Sequence, residues 1–443
     1  MISIKPRRAS EIAKIVSGKL MGEDVLIDKI SLSSKENMDE NTCFVGIKGE
    51  KFDGNDFSNE AYKNGAGIVI TERKDAKKPC ITVGDTKTAL LELASANKGS
   101  AKIIGVTGSV GKTTVKNMII SVLSQKFSVI GTKENENNEI GVAKTLLNIK
   151  NEDFCVVEMG MRALGEIDKL SRFSKPELAV ITNAKTSHIE LLGSKKNILK
   201  AKLEILNYHP KFAILPNDKR INRKKLGKIK AIFVDEGARK ARYSFFDGGI
   251  KFLIKNGDNE ENEMKIYSFC LHNIHNAEIA YRVGKLYGLT DSEIQNGLLS
   301  FKQDRMREEY LEIKGVTIIN DCYNSSYESL KSSLILLSNI SKLKKKRSNA
   351  IIGDILEIGR YSKKIHRKIG RFAKKLKINR VFLCGQYSKY IKRGAGYAKI
   401  FENKQDLVSE MRKTLSSGDV VLIKASRRLK FENIIEGIKE NNE

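Results

Sequence analysis

The run "KIIGVTGSVGKTTVKNMIISVL", Lys102 to Leu123, constrains the fold of this chain more than any other feature. It opens as an unbroken apolar stretch, of the kind needed by a strand buried on both faces. It passes through a glycine-rich turn and ends with apolar residues at helical spacing. A strand that turns tightly into a helix commits the chain to a parallel α/β layer, because the crossover helix must cover the sheet before the next parallel strand pairs. Further apolar runs, "FCVVEMG", "LAVITN", "FAILPND" and "AIFVD", alternate with helical stretches downstream. The middle of the chain is therefore expected to be a doubly wound α/β domain.

The glycine-rich turn misses the Walker A spacing by one residue. The glycine expected five positions before Gly111 is Val106, and Gly105 stands one place too early. Every other part keeps a physical job. Gly108 and Gly111 let backbone N–H groups approach phosphate oxygens, the helix start adds positive potential, Lys112 can reach a terminal phosphate, and the Thr113 hydroxyl suits Mg2+. Thr107, Ser109 and Thr114 are the remaining polar residues of this candidate ATP loop. The bland alternative is a strand-to-helix turn with an incidental lysine, and the strand–loop–helix context weighs against it.

A length of 443 residues exceeds one ordinary domain. Residues 1–98 mix short strand-like runs with helical stretches and read as a small α/β domain. The doubly wound domain takes 99–301, with "KNGDNEENEMK" (Lys255 to Lys265) as a hairpin tip, and the charged break "KQDRMREE" ends it. Strands "VTIIND", "NAIIGD", "RVFLCG" and "DVVLIKA" alternate with helices over 302–443, which predicts a second parallel-sheet domain of Rossmann type. No repeat at solenoid period is present.

The formal charge of +27 favours polyanionic partners such as nucleotides, nucleotide-sugars or nucleic acids, and charge alone does not choose among them. "KLKKKR", Lys342 to Arg347, has no interleaved aromatic residues and reads as a solvated face rather than a nucleic-acid surface. The six cysteines lack metal or disulfide spacing and are expected as free thiols in a reducing cytoplasm. No apolar run is long enough to span a bilayer, and the N-terminal stretch lacks a signal-peptide core.

An ordered series of motifs follows the loop: "NENNEIG", "VEMG", "TNAKTSH", "KAKLEI", "LHNIHNAEIA", "INDCYN", "GDILEIG" and "SR", preceded by "CFVGIKGEKFDGNDF" near the N-terminus. Together these resemble the Mur ligase family, and within it the MurF type, over nearly the whole chain. The family's loop begins T-G, which accounts for the absent Walker glycine. The resemblance implies three domains: a UDP-sugar-binding domain, a central ATPase domain and a Rossmann-like ligase domain. The implied reaction is ATP-dependent amide formation. The terminal carboxylate of a UDP-sugar-peptide takes the γ-phosphoryl group, and an amine of an amino acid or dipeptide attacks the acyl phosphate. A cytoplasmic monomer with no nucleic-acid partner is expected.

The same resemblance implies two Mg2+ ions. Thr113 and Glu158 would hold the first and His188 the second, between the γ-phosphate and the substrate carboxylate. It also implies that Lys202 is carbamylated; without the motif, Lys202 reads as an exposed helix lysine. The pair His272 and His275 invites a metal reading, but no third ligand is evident, so Asn273 and Asn276 are expected at the adenine, with His275 structural. His209 and His366 read as surface or core residues. Arg305 is expected at the γ-phosphate, with Arg307 as rival; Asp321 at the ribose; Tyr323 and Asn324 beside the adenine. Lys424 and Arg427 are expected on the carboxylate of the incoming amine substrate. Ser33, Ser34 and Lys35, in place of the usual D-S-R, and Asn137 and Asn138 are expected on the UDP-sugar-peptide side.

"SLSSKEN", "NAKTSH", "YNSSY" and "KASR" depart from the bacterial pattern at substrate-side positions. A D-alanyl-D-alanine-adding ligase and a ligase acting on pseudomurein precursors of methanogenic archaea both fit. A folylpolyglutamate synthase lacks the N-terminal module. A P-loop ATPase that binds nucleic acid is the alternative of another class, and Glu158 and His188 in ligase motifs stand against it.

Overall fold

The computed structural model describes all residues except 50, 78, 187–188, 236–241, 247, 257–259 and 441–443. Three six-stranded sheets follow one another along the chain, and a small antiparallel sheet sits between the second and third. In the first sheet, Leu26–Ser31, Thr42–Val45, Ile68–Thr71 and Cys80–Thr82 are parallel, and Ile2–Arg8 and Lys19–Met21 pair antiparallel at its two edges. Thr42–Val45 and Ile68–Thr71 are buried throughout, which is why they read as continuous β-branched and aromatic runs.

The second sheet is wholly parallel. Its order is Lys230–Val234, Phe212–Pro216, Leu178–Ile181, Lys102–Thr107, Phe154–Glu158, Val129–Gly131. The chain builds outward from Lys102–Thr107 in both directions, so the order reverses beside that strand. Ligands bind beyond the carboxyl ends of strands at such a reversal. Helix Lys112–Leu123 buries Val115, Met118, Ile119 and Val122 against helices His272–Leu286 and Asp291–Ser300. Gly297 permits that packing, since a Cβ there would lie 2.5 Å from the Val122 Cα. The polar stretch Lys255 to Lys265 falls on the antiparallel pair Gly249–Asn256 and Glu260–Ile266, and its tip lies outside the described residues.

The third sheet runs Glu309–Ile313, Val316–Asn320, Val420–Lys424, Ser348–Ile352, Arg380–Cys384, Lys399–Phe401. Only the first pair is antiparallel. Lys314 and Gly315 join it at φ 52° and 75°, the two positive φ values that a two-residue hairpin needs. All six cysteines are buried, and none is in a disulfide. Burial pushes the Cys43 and Cys155 thiols up to about 12, so they stay protonated and inert. Among the described residues no helix is long and apolar enough to cross a membrane.

Candidate active site

The glycine loop is fixed from behind. Thr182 and Asn183, just past the end of strand Leu178–Ile181, hold it at four points: Ser109 N donates to Asn183 O (3.1 Å), Val110 N to Asn183 Oδ1 (3.1 Å), and Thr182 Oγ1 and Asn183 Nδ2 donate to Val110 O (2.7 and 2.9 Å). A Cβ on Gly108 would lie 1.9 Å from Thr182 Oγ1. Gly111 caps helix Lys112–Leu123 in the left-handed region at φ 82°, with no side chain accepting from the helix start. The first helical amides therefore keep their donors for an anion. Thr107 Oγ1 donates to Met159 O, and Ser109 Oγ accepts from Lys185 N, so both serve the loop's frame.

Lys112 Nζ donates to the loop's own Gly108 carbonyl at 3.0 Å. Burial holds the lysine below its ordinary range, against the pull of Glu158. Glu158 ends strand Phe154–Glu158 and is 1% exposed. Asn137 Nδ2 donates to its Oε1 at 2.8 Å, while its Oε2 is buried without a hydrogen-bond partner. An orphaned carboxylate oxygen beside a Thr-bearing phosphate loop is the donor chemistry Mg2+ takes, so the residues fit that ion. Asn137 thus acts on Glu158. Asn138 caps helix Glu139–Leu147 through Gly141 N, which gives it a local structural role in place of a ligand contact.

Two lysines flank these groups. Lys202, on helix Lys195–Leu203, is 1% exposed, and burial, with Lys112 adding to it, takes its pKa well below the lysine range. Lys116 is also buried, with its ammonium on the Thr132 carbonyl; the Thr132 hydroxyl in turn accepts from Glu158 N. The sequence signal for Lys116 was its position four residues after Lys112, on the same helix face. His188 lies outside the described residues.

The third unit closes onto this group. Arg307 donates to Thr113 Oγ1 at 3.2 Å, and its guanidinium stacks 3.7 Å from the Tyr323 ring centre. Asn117 donates to Asp304 at 2.9 Å, and Thr186 to Glu328 at 2.7 Å. Arg305, the expected arginine, is exposed. Met306 and Glu308 adopt φ 59° and 53°, and this left-handed backbone on either side of Arg307 turns it inward.

Several expected contacts are spent within the protein. Lys424 is 2% exposed and bonds Asp321 Oδ2 at 2.5 Å and the Asn324 carbonyl at 2.9 Å. It braces the Asp321–Asn324 turn and is not presented to a substrate carboxylate. Asp321 also accepts from Ser333 Oγ at 2.6 Å. Lys424→Met leaves that carboxylate buried and unpaired, and is expected to cost about 3–5 kcal/mol in a denaturant melt. Asn273 donates to Ser268 (2.9 Å) and Glu308 (3.2 Å) and accepts from Asn276 (2.8 Å), so both of its amide hydrogens are engaged within the protein. His275 lies between the Asp235 and Thr182 carbonyls, with one ring nitrogen facing each at 3.1 and 3.0 Å. His366 is buried and bonded to Ile355 N and the Ser362 carbonyl, and His209 is exposed. Burial beside Asp321 pushes Glu308 up to about 7.

Arg427 is exposed and paired with Glu432 at 2.7 Å. In the first unit, Ser33, Ser34 and Lys35 follow the carboxyl end of strand Leu26–Ser31; Ser34 Oγ donates to Glu60 at 3.0 Å, while Ser33 and Lys35 are exposed.

Three family descriptions match the chain in order: Mur ligase family, catalytic domain, over residues 28–103; Mur ligase middle domain over 106–284; and Mur ligase, glutamate ligase domain, over 305–427. The UDP-N-acetylmuramoyl-tripeptide--D-alanyl-D-alanine ligase of Bacillus subtilis (strain 168) is 35% identical over 98% of this chain and 99% of its own. A crystal structure of MurF from Acinetobacter baumannii superposes with TM-score 0.90 at 25% identity, covering 99% and 100% of the two chains. The MurF ligase of Thermotoga maritima, solved in complex with ADP, superposes with TM-score 0.84 at 28% identity over 93% and 97%. The protein is an ATP-dependent ligase with the three-domain α/β architecture of these structures, and it belongs to the Mur ligase family.

Proposed function

We propose that the protein joins D-alanyl-D-alanine to the terminal carboxylate of a UDP-N-acetylmuramoyl-tripeptide, with ATP converted to ADP and phosphate. One observation carries the site assignment: Lys112, Glu158, Lys202 and Arg307 come from two units and meet around one phosphate loop. The likeness to the Bacillus subtilis enzyme over both full lengths supports the murein substrate over a pseudomurein precursor.

The helix-start amides and Lys112 hold the β- and γ-phosphates, and Arg307 takes the γ-phosphate from the other side once it leaves Thr113. Tyr323, held under Arg307, and Asp321, braced by Lys424, line the nucleoside side. Thr113 and Glu158 would hold one Mg2+, His188 and a carbamylated Lys202 the second. Bound Mg2+ neutralises the two anions that must meet, the γ-phosphate and the substrate carboxylate. Ser33, Ser34 and Lys35 face the uridine end, and Arg427 turns from Glu432 to the dipeptide carboxylate. Boundaries at 1–98, 99–301 and 302–443 suit the three sheets. A cytoplasmic monomer without a nucleic-acid partner completes the reading.

Phosphate release should require both the UDP-sugar-peptide and the amine, and mass spectrometry of products from murein and pseudomurein precursors identifies the pair joined. Release that needs neither, or that DNA stimulates, would favour a nucleic-acid ATPase. For the arginines, Arg307→Ala should lower kcat on the order of a hundredfold. Arg305→Ala should stay within about twofold of the parent, as expected for an exposed side chain.

A further inference from the structure

Cys270, His272 and Glu308 form a cluster that the ligase reaction does not use. Their donor atoms all lie within 4.8 Å of one another: Cys270 Sγ is 2.8 Å from His272 Nδ1, and His272 Nε2 is 3.5 Å from Glu308 Oε1. We infer that these three residues bind one zinc-class divalent cation at the junction of the central and third units, separate from the Mg2+ of the phosphate loop.

The donor set is the first argument. A thiolate, an imidazole and a carboxylate select a borderline-soft ion over Mg2+, and three protein ligands leave a fourth tetrahedral position open. Bonds of about 2.3 Å to sulfur and about 2.0–2.2 Å to nitrogen and oxygen put tetrahedral donors roughly 3.4–3.6 Å apart; one ring nitrogen of His272 serves the ion, and donors that lie within 4.8 Å of one another reach that spacing by shifts of about an ångström or less.

Charge is the second argument. The Glu308 side chain is 7% exposed, and the donors beside it, the Asn273 amide and the Cys270 thiol, are neutral. Lys424, the cation that acts on it, is itself bonded to Asp321. One lysine thus serves two buried carboxylates, and a buried carboxylate without a cation is costly. A cation held by the thiolate, one ring nitrogen of His272 and the carboxylate supplies the positive charge that Glu308 lacks.

Position gives the site a consequence. Cys270 and His272 stand at the head of helix His272–Leu286, and Glu308 directly follows Arg307. The ion would tie the segment that delivers Arg307 to the helix that packs on Lys112–Leu123.

The test is a Co2+ titration of the chelator-treated full-length enzyme in excess Mg2+, which occupies oxygen sites and leaves thiolate sites free. A near-ultraviolet thiolate-to-cobalt charge-transfer band should saturate at one equivalent, and Zn2+ should displace it. Cys270→Ser should abolish the band. His272→Ala and Glu308→Gln, which keep the thiol, should each weaken Co2+ binding at least tenfold and remove the rise in melting temperature that Zn2+ gives the parent. No charge-transfer band in the parent, the same band in Cys270→Ser, or unchanged affinity in both His272→Ala and Glu308→Gln would each overturn the site. Should Cys270→Ser fail to fold, the other two variants decide. Ligase activity enters none of these readouts, so the outcome is independent of the substrate assignment.

Discussion

Replacing Lys112 by alanine is expected to abolish substrate-dependent phosphate release, with a loss in kcat of roughly a thousandfold or more. The ammonium rests on the Gly108 carbonyl at the mouth of the loop it would serve, at 3.0 Å. It needs only a change of side-chain torsion to reach a γ-phosphate seated on the helix-start amides. Lys112→Arg should recover little, because a planar fork does not fit the place of a compact ammonium in a loop bounded by Thr182 and Asn276.

The fold should not suffer. Burial already disfavours the Lys112 charge, so alanine removes a desolvation cost and the melting temperature is expected to hold or rise. Undiminished ATP turnover by a folded Lys112→Ala protein would sink the assignment.

The same burial has a pH signature. Lys112 and Lys202 have folded pKa values below the ordinary 10.5, so in the window just below 10.5 the unfolded chain binds more protons than the folded one. Unfolding free energy must then rise with pH across that window. In protein freed of carbon dioxide, where Lys202 is the amine, Lys202→Met should flatten the slope in melts run from neutral to alkaline pH, and an unchanged slope would show that Lys202 is not buried as described.

What could be read from sequence follows what has a period or a forced backbone. Apolar strands of the central sheet, glycines at Gly108 and Gly111, and Glu158 at a strand end are local facts, since side-chain period and positive φ leave marks in the residue string. Arg307 was not separable from Arg305, because the choice depends on left-handed backbone at Met306 and Glu308, two residues that carry no glycine signal. Lys424 read as a ligand for an anion because lysines are seldom buried, and its partner Asp321 is 103 residues away along the chain. The bond from Asn273 to Glu308 was hidden for a similar reason: it needs the third unit docked on the second. The Cys270 cluster was missed because H-x-x-H drew attention to His275, while the true neighbours of His272 are two residues back and 36 residues ahead (308 − 272).

Lys202→Ala is expected to lose most of the activity, on the order of a thousandfold in kcat, and to recover part of it when short-chain carboxylic acids are added. Lys202 is buried close enough to Lys112 for that charge to add to the burial that disfavours its own, and a Lys202 ammonium has no hydrogen bond to offset that cost among the described residues. The neutral amine that burial favours is the form that adds carbon dioxide. In the proposed carbamylation a C–N bond would form, one proton would leave, and a carbamate anion would replace the base. Repulsion toward Lys112 would become attraction, and the site would gain an oxygen donor of the kind Mg2+ takes. Acetate or propionate can enter the space that alanine opens and supply that oxygen without the chain. Lys202→Arg, always cationic, should be dead and beyond rescue. Parent-level activity in Lys202→Ala would refute the carbamate, as would equal rescue of Lys202→Arg by the same acids.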